Sequence, residues 1–392
     1  MDTTEARAPR PPETGNGELA IVLGGGGARA AYQVGVLRGM ARHLSPTRPV
    51  ILTGESAGAI NSAYLAAHPA PIAEAIEDLA RLWRGLTVDQ VFRVGVPSLA
   101  RNVFRWAARL MSGGLAIAPQ PRGLLETGPL RSLLERSLDS ADGEIAGIAK
   151  KIDKGLLTAI ALTTLNYSTG QTVTWVQGEQ IQGWERPLRR SVAVRLSVDH
   201  VLASAALPFV FPAVRLGDDW YGDGGVRLHT PLSPAIHLGA SRILAISTRY
   251  RPTYEEAARP AISGYPAPAH VAGLLLDAIF LDLVDYDALV LQRLNALLAK
   301  LPPHEWSGIR PVDLLVLRPS RDLAELARGC ETCLPRGLRF LTRGLGTQET
   351  SRADFLTLMM FVPEYLEQLI RIGERDAEAR AAEIAAFLES AP

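Results

Sequence analysis

Residues 19–37 read LAIVLGGGGARAAYQVGVL, and this stretch decides the fold. The run LAIVL is short, apolar and followed by glycine, which is typical of a buried strand. From Ala28 to His43 the apolar residues recur at helical spacing. The glycines Gly24–Gly27 lie between the two, so a phosphate, a packed helix or a developing oxyanion can come close to the backbone there. The stretch therefore predicts a strand, a glycine loop and a helix.

The same order of elements follows further along the chain. VILT from Val50 predicts a second buried strand, and Ala57–Ala67 predicts a second helix that ends before Pro69. A strand–helix–strand–helix order is typical of a parallel sheet with right-handed crossovers. Further apolar runs predict more strands: LLTAIALTTL from Leu156, TVTWVQ from Thr172, RILAIST from Arg242 and VDLLVLRPS from Val312. We therefore expect an α/β fold with a mainly parallel sheet flanked by helices.

The composition of the two ends differs from that of the middle. Residues 1–18 are polar and proline-rich and lack the apolar core of a signal peptide, so we expect a disordered tail. No linker between independent domains is visible, and residues 19–325 are predicted to form one α/β catalytic domain with helical insertions. Residues 326–392 are expected to form a mainly helical C-terminal extension, because the chain from about Arg352 is rich in Ala, Glu and Arg.

Charge and cysteine content exclude several classes of protein. The chain carries 41 Lys and Arg against 41 Asp and Glu, which argues against nucleic-acid binding. No run of about 18 apolar residues occurs, so we expect a cytoplasmic protein for which peripheral membrane contact stays open. Cys330 and Cys333 have CxxC spacing, but no further ligand for zinc lies close in sequence. We interpret them as ordinary thiols and expect no metal and no cofactor; the oligomeric state stays open.

Residues 54–58 read GESAG and follow the second predicted strand. In the pattern G-x-S-x-G a nucleophilic serine lies at a sharp, strained strand-to-helix turn. The residues two before and two after it crowd each other, which explains Gly54 and Gly58. In a glycine-rich chain the pattern can also arise by chance, with Ser56 merely capping a helix. Its position between a predicted strand and a predicted helix favours the nucleophile and its elbow.

A nucleophilic serine needs donors for the oxyanion that forms on attack. Gly25, Gly26 and Gly27 follow the neighbouring strand, so they lie at the same edge of the sheet as Ser56. Their N–H groups can approach a reacting centre because no Cβ intervenes. Arg29 can add positive charge or hold a phosphate, although an ordinary surface arginine is the alternative. The sequence favours an oxyanion as the group that the glycine loop receives.

A dinucleotide site is the competing interpretation of the same glycines. Gly25-x-Gly27-x-x-Ala30 satisfies the fingerprint G-x-G-x-x-G/A after a strand. That fingerprint requires an acidic residue at the end of the next strand to bind a ribose. Glu55 is available there, but a ribose site does not explain the two glycines that flank Ser56. A nucleotide-binding protein therefore remains the weaker alternative.

The partner of the serine is more plausibly a carboxylate than a histidine. None of the chain's histidines lies in a motif-like setting: His43, His68, His200, His229, His237, His270 and His304. Asp223, in contrast, lies in YGDGG, where the glycines allow another backbone to approach it. A plain β-turn is the alternative, because Asp-Gly is a common turn dipeptide.

Four blocks in this order resemble the patatin-like phospholipases: GGGGARAAYQVGVL, GESAGAINSA, ASAALPFVFPAV from Ala203 and YGDGGVRLHTPL. The resemblance covers roughly Leu19–Tyr250, with a weaker similarity at LLVLRPSRDLAELA from Leu314. It implies a three-layer sandwich related to the α/β hydrolases and a Ser–Asp dyad without histidine. By this resemblance Ser56 is the nucleophile and Asp223 the general base. The oxyanion hole is then formed by Gly25, Gly26, Gly27 and the region of Arg29.

Two positions depart from the family pattern. The family usually has glycine where this chain has Ala30, and a methyl group there can tighten the packing of the following helix or slow turnover. His229 lies where the family often has a small polar residue, and we interpret it as incidental to catalysis.

A dyad of this kind favours esters as substrates. An aspartate with a pKa of about 3.9 is a weak base, so it needs close contact with the serine and desolvation in the pocket. We expect a phospholipase A-like lipid acyl hydrolase that works through an acyl-enzyme. A carboxylesterase for small acyl esters and a non-catalytic scaffold are the alternatives.

Two segments are candidates for contact with lipid. Leu99–Met111 carries Arg101, Arg105 and Arg109 on one stripe, which suits an anionic bilayer but also an ordinary solvated helix face. The apolar helix expected from Val271 is a candidate for a lid or for a wall of the acyl-chain pocket.

Overall fold

The computed structural model describes residues 18–93, 104–105, 107–109, 111, 123–140, 143–179, 181–260, 262, 264–280, 283–344 and 354–389. The expected N-terminal tail thus lies almost wholly outside the described residues, and so does most of the arginine helix expected over Leu99–Met111. Within the described residues no helix has both the length and the hydropathy needed to cross a bilayer.

The core of the structure is one mixed sheet. Its strands are β1 (Leu19–Leu23), β2 (Val50–Gly54), β3 (Leu157–Asn166), β4 (Thr172–Gly178), β5 (Glu185–Arg186), β6 (Arg189–Ala193), β7 (Val214–Leu216), β8 (Asp219–Asp223), β9 (Arg242–Ile246) and β10 (Asp313–Leu317). The strand order is β10-β9-β1-β2-β3-β4-β6-β5, and β8 pairs with both β3 and β7.

The central part of the sheet is parallel, as the sequence predicts. β10, β9, β1, β2 and β3 run in one direction, whereas β4 and β8 are antiparallel to β3. β1 and β2 are neighbours, with Leu23 opposite Gly54. Because parallel strands end at the same edge, the glycine loop and the GESAG turn leave the sheet side by side.

The described helices cover both faces of this sheet. They are Ala31–Met40, Ala57–Ala67, Ile72–Arg84, Val88–Val91, Gly128–Ser137, Ala146–Asp153, Val198–Ser204, Ser233–His237, Tyr254–Ala257, Pro268–Phe280, Leu283–Leu298, Leu323–Gly329, Arg336–Gly344, Asp354–Met359, Pro363–Ala379 and Ala381–Glu389. The first begins at Ala31, after a 3-10 turn over Gly27–Ala30, rather than at Ala28. The apolar stretch from Val271 is helical over Pro268–Phe280 and Leu283–Leu298, and residues 281–282 lie outside the described residues.

Alternate residues of β1 point into two separate cores. Ile21 and Leu23 pack with the helices that follow β1 and β2, whereas Ala20 and Val22 pack with the helix Leu283–Leu298 on the other face. This alternation is what a strand buried on both faces requires. The molecule is therefore a three-layer α/β sandwich with additional C-terminal helices.

The C-terminal helix Pro363–Ala379 packs along the helix Ala31–Met40. The two approach so closely that a Cβ on Gly35 would lie 2.0 Å from the carbonyl oxygen of Ile370. Tyr32 adds a hydrogen bond from its hydroxyl to Asp376 at 3.1 Å. The C-terminal region thus lies against the first helix of the α/β unit.

Candidate active site

Ser56 lies in a strained turn between β2 and the helix Ala57–Ala67. Its backbone has φ 53° and ψ −130°, a conformation that L-residues rarely adopt. A Cβ on Gly54 would lie 2.5 Å from the carbonyl oxygen of Gly58, and a Cβ on Gly58 would lie 2.0 Å from that of Leu23. Glycine is therefore required on both sides of the serine, and the tight packing holds the turn in its strained form.

Asp223 is the last residue of β8 and is fully buried. It lies opposite Thr164 of β3, and its Oδ1 accepts a hydrogen bond from the amide of Gly225 at 3.0 Å. The Ser56 hydroxyl lies close enough to the carboxylate to lower its pKa. Oδ2 is buried and makes no hydrogen bond of standard geometry within the described residues. The fold thus brings Ser56 and Asp223 together, although 167 positions of sequence separate them.

One segment holds the backbone of both residues. The Ser204 hydroxyl accepts a hydrogen bond from the amide of Ser56 at 3.2 Å and donates one to the carbonyl of Thr163 at 2.7 Å. The amide of Asp223 donates to the carbonyl of Ala206 at 3.0 Å. Ser204 is not among the site residues predicted from the sequence. The signal was present, because Ser204 lies in ASAALPFVFPAV, one of the four blocks of the family resemblance.

Burial raises the pKa of two neighbouring carboxyl groups. The pKa of Asp223 rises to about 7, because desolvation outweighs the effects of the Ser56 hydroxyl and the Gly225 amide. The pKa of Glu55 rises to about 8 through desolvation and the nearby negative charge of Asp223, against a hydrogen bond from the Gly25 amide. Two buried carboxylates in proximity disfavour double ionisation. Near neutral pH the Asp223 carboxylate can therefore be ionised while Glu55 keeps its proton.

Two residues of the glycine loop that line the cleft have amides without an acceptor in the described chain. The Gly25 amide donates a hydrogen bond to the Glu55 carboxyl group. The Gly25 carbonyl accepts a hydrogen bond from the Thr248 hydroxyl at 2.9 Å. Gly26 and Gly27 have positive φ angles of 142° and 55° and line the same cleft as Ser56. Within the described chain their amides have no acceptor. Of the three predicted oxyanion donors, Gly26 and Gly27 are therefore the two with available N–H groups.

Two further groups complete the surroundings of the loop. Arg29 is buried: its Nε donates to the hydroxyl of Thr357 at 2.5 Å, and its Nη1 lies 3.5 Å from Asp277. It is thus not a surface arginine, and its guanidinium joins the glycine loop to two later elements. Ala57 is the first residue of the elbow helix, so its amide has no acceptor within that helix, and the residue lines the cleft beside Ser56. This amide is not among the oxyanion donors predicted from the sequence.

Ser56 opens into an apolar cleft that encloses about 900 Å³, part of it continuous with solvent. The side chains of Ile60 and Tyr64 follow Ser56 along the elbow helix, and eight residues of helix extend the wall by about 12 Å. The remaining wall comes from apolar side chains of other elements, among them Leu82, Trp83, Leu130, Leu134, Leu207, Met359 and Phe361. Such a cleft suits a long apolar group.

The other candidate residues lie away from this chemistry. Among the described residues no histidine lines the cleft, and His229 is exposed. Cys330 is buried and Cys333 exposed, both as free thiols. In the part of the chain that the structure covers, no group of three or more His, Cys, Asp or Glu side chains could hold a metal ion. Ala30 is fully buried, and its effect on the loop stays a prediction.

An α/β sheet with a strained serine at a strand-to-helix turn beside a buried acid is an arrangement typical of hydrolases. A family model of the patatin-like phospholipases matches residues 21–236, more than half of the chain. The protein therefore belongs to the patatin-like phospholipase family. A search of curated proteins found no significant match.

Solved structures that are similar to this chain share little sequence identity with it, as three of them illustrate. Human GIVD cytosolic phospholipase A2 matches with a TM-score of 0.45 and 13% identity over 96% of this chain and 60% of that one. VipD from Legionella pneumophila matches with 0.35 and 13% over 91% and 67%, and the type III effector protein ExoU with 0.36 and 14% over 96% and 54%. The chain thus spans 54–67% of the length of these proteins.

Proposed function

We propose that this protein is a serine lipid acyl hydrolase of phospholipase A type, which cleaves carboxylic esters of lipids through a Ser56–Asp223 dyad. The observation that carries the proposal is the strained Ser56 beside the buried Asp223 at the mouth of an apolar cleft. Membership of the patatin-like phospholipase family supports a lipid ester as substrate.

The reaction proceeds in two steps. The Ser56 hydroxyl attacks the ester carbonyl and passes its proton to Asp223, while the amides of Gly26 and Gly27 bind the oxyanion. Asp223 then returns the proton to the leaving alkoxide, and an acyl-enzyme remains. Water attacks the acyl-enzyme, gives its proton to Asp223 and releases the fatty acid, after which the proton returns to Ser56.

The environment of Asp223 supports its role as a base. A carboxylate with a pKa of about 7 accepts a proton from serine more readily than one at the ordinary value. The strained turn fixes the hydroxyl before substrate binds, so little reorganisation is needed on attack. The alternatives are a carboxylesterase for small esters and a non-catalytic scaffold. Neither of them explains why the apolar cleft is long.

We also propose peripheral contact with a lipid surface. The helix Pro268–Phe280 turns Asp277 inward towards Arg29 and exposes Val271, Leu274 and Leu275 along one stripe. An apolar stripe that faces solvent beside an active-site loop suits the acyl region of a bilayer.

Labelling with a fluorophosphonate tests the proposed nucleophile. We expect one label per chain, lost in Ser56→Ala, and hydrolysis of a phosphatidylcholine substrate that is also lost in Asp223→Asn. A chelator is expected to leave hydrolysis unchanged. Circular dichroism provides the control for folding of both variants. Undiminished turnover in folded Asp223→Asn would contradict the dyad, and absence of label in the wild-type protein would favour the scaffold.

A further inference from the structure

The cleft is completed by a segment that lies far outside the residues matched by the family model. That match ends at residue 236, whereas the segment Leu356–Phe361 comes from the C-terminal region. All six residues of the segment are buried. We name it the C-terminal wall.

The C-terminal wall is in direct contact with the glycine loop. A Cβ on Gly27 would lie 2.2 Å from the carbonyl oxygen of Leu358, so the two backbones touch at that point. The hydroxyl of Thr357 accepts the hydrogen bond from Arg29 at 2.5 Å and is fully buried. The position of the wall is thus tied to the loop that faces Ser56.

Three side chains of the wall line the cleft: Leu358, Met359 and Phe361. Phe361 stacks on Trp83 with 6.3 Å between ring centroids and meets Phe92 edge-on at 6.2 Å, so aromatic contacts hold it in place. Met359 has no ring and so is not held by aromatic contacts of this kind. Its unbranched side chain can adapt to the groups that it packs against. Its neighbour Met360 is fully buried but does not line the cleft.

We propose that the C-terminal wall sets the length of the acyl chain that the cleft accepts, with Met359 as the side chain that determines it. The proposal rests on the proposed function only in taking a fatty acyl chain as the ligand. Because Met359 lines the cleft, its side chain takes up volume that an acyl chain would otherwise fill. Each additional methylene that the chain buries contributes about a fourfold gain in affinity.

The adjacent methionines supply a matched pair of variants. Met359→Ala and Met360→Ala remove the same side-chain atoms from neighbouring buried positions, so both cost stability through lost packing. Only Met359→Ala enlarges the cleft. Met359→Phe provides the opposite change, because a ring replaces the flexible side chain at the cleft surface.

Binding is measured in the Ser56→Ala background, so that the result does not depend on hydrolysis. Free fatty acids of increasing length displace a fluorescent fatty acid from the full-length protein, and the dissociation constant is plotted against chain length. We expect the optimum to move to longer chains in Met359→Ala by at least one methylene step, to shorter chains in Met359→Phe, and to stay unchanged in Met360→Ala.

Three results would overturn the inference: an unchanged optimum in Met359→Ala, an equal shift in Met360→Ala, or no displacement by any fatty acid. A shift found only in the Met359 variants, together with a wild-type protein that hydrolyses no ester, would support the wall and reject the proposed hydrolase. The two proposals therefore fail separately.

Discussion

Glu55 and Asp223 are two buried acids beside Ser56, and burial raises the pKa of both. Asp223 is fully buried and Glu55 is 4% exposed. Oε2 of Glu55 and Oδ2 of Asp223 both lack a hydrogen bond of standard geometry within the described chain. Unsatisfied buried oxygens cost stability, and such costs are concentrated at functional sites. The charge on these two acids is therefore expected to control both activity and stability.

Activity and stability should depend on pH in opposite ways. In the proposed mechanism the base is ionised Asp223, so the rate of hydrolysis should increase as the pH rises through about 7. The pKa of this carboxyl is raised in the folded state, so its contribution to stability is complete below pH 4 and is lost as the pH rises through about 7. The loss is of the order of 4 kcal/mol.

Asp223→Asn removes this titration and should be more stable than the wild-type protein at pH 8, with little difference at pH 4. Thermal unfolding at the two pH values measures this difference in stability between the variant and the wild-type protein. Asp218→Asn is the control, because that carboxylate is fully exposed. If the stability of the wild-type protein changed with pH no more than that of the Asp223→Asn variant, Asp223 could not be a buried group that titrates near neutral pH.

The residues that carry chemistry could be proposed from sequence because their motifs are local. The glycines around Ser56 and Asp223 reflect backbone crowding within a few residues, which a short pattern records. Thr357 carries no such signal, since its partner Arg29 is 328 positions away. The burial that raises the pKa of Glu55 also depends on packing between distant strands, so it could not be predicted from GESAG.

Among the elements, the helices Ala31–Met40 and Pro363–Ala379 form the closest pair. Gly35 of the first helix contacts the backbone of Ile370. Gly373 of the second helix contacts the backbone of Tyr32, and a Cβ on Gly373 would lie 2.3 Å from the carbonyl oxygen of Tyr32. Small residues at such positions allow two helix backbones to touch. This contact anchors the helix that follows the C-terminal wall, so the wall depends on it.

Gly35→Ala should therefore separate the two helices. The added methyl group meets the Ile370 backbone at 2.0 Å, and we expect a loss of about 3 kcal/mol in the free energy of unfolding. Gly329→Ala is the control, because nothing lies within 4 Å of that position, and its effect should stay within about 0.5 kcal/mol. Urea unfolding measures both, and equal stability of the two variants would contradict this description of the interface.

The elements of the parallel sheet could be predicted because their apolar runs are long and bounded by glycine or proline. β5 to β8 could not, since they are short and partly exposed: the burial of β8 changes from half-exposed at Asp219 to complete at Asp223. The strand that carries the proposed base was therefore predicted only as a turn.

On the scale of the whole molecule, the helices Pro268–Phe280 and Leu283–Leu298 turn apolar residues outward. Exposed side chains on the first are Val271, Leu274 and Leu275, and on the second Tyr286, Leu289, Val290 and Leu297. The first helix also packs against the turn Gly224–Val226 that follows Asp223. The apolar surface therefore lies near the proposed base.

Replacing Leu274 and Leu275 by Ser should weaken binding to vesicles of phosphatidylcholine. The two side chains are 49% and 60% exposed, so they are free to enter the bilayer. Loss of even partial burial of two leucines corresponds to at least a tenfold decrease in partitioning. Leu188→Ser is the control, because Leu188 is 56% exposed on the β5–β6 turn at the edge of the sheet. Sedimentation with vesicles measures the binding of the wild-type protein, the Leu274/Leu275 variant and Leu188→Ser. Equal binding of all three would exclude the helices Pro268–Phe280 and Leu283–Leu298 as the site of membrane contact.

The hydrogen bond between Arg29 and Thr357 has a consequence for synthesis in the cell. Translation proceeds from the N-terminus, so the glycine loop emerges from the ribosome long before the residues that support it. A nascent chain already contains the serine and the acid, but its cleft has one side missing. The proposed active-site cleft therefore cannot be complete before residues 356–361 have been synthesised.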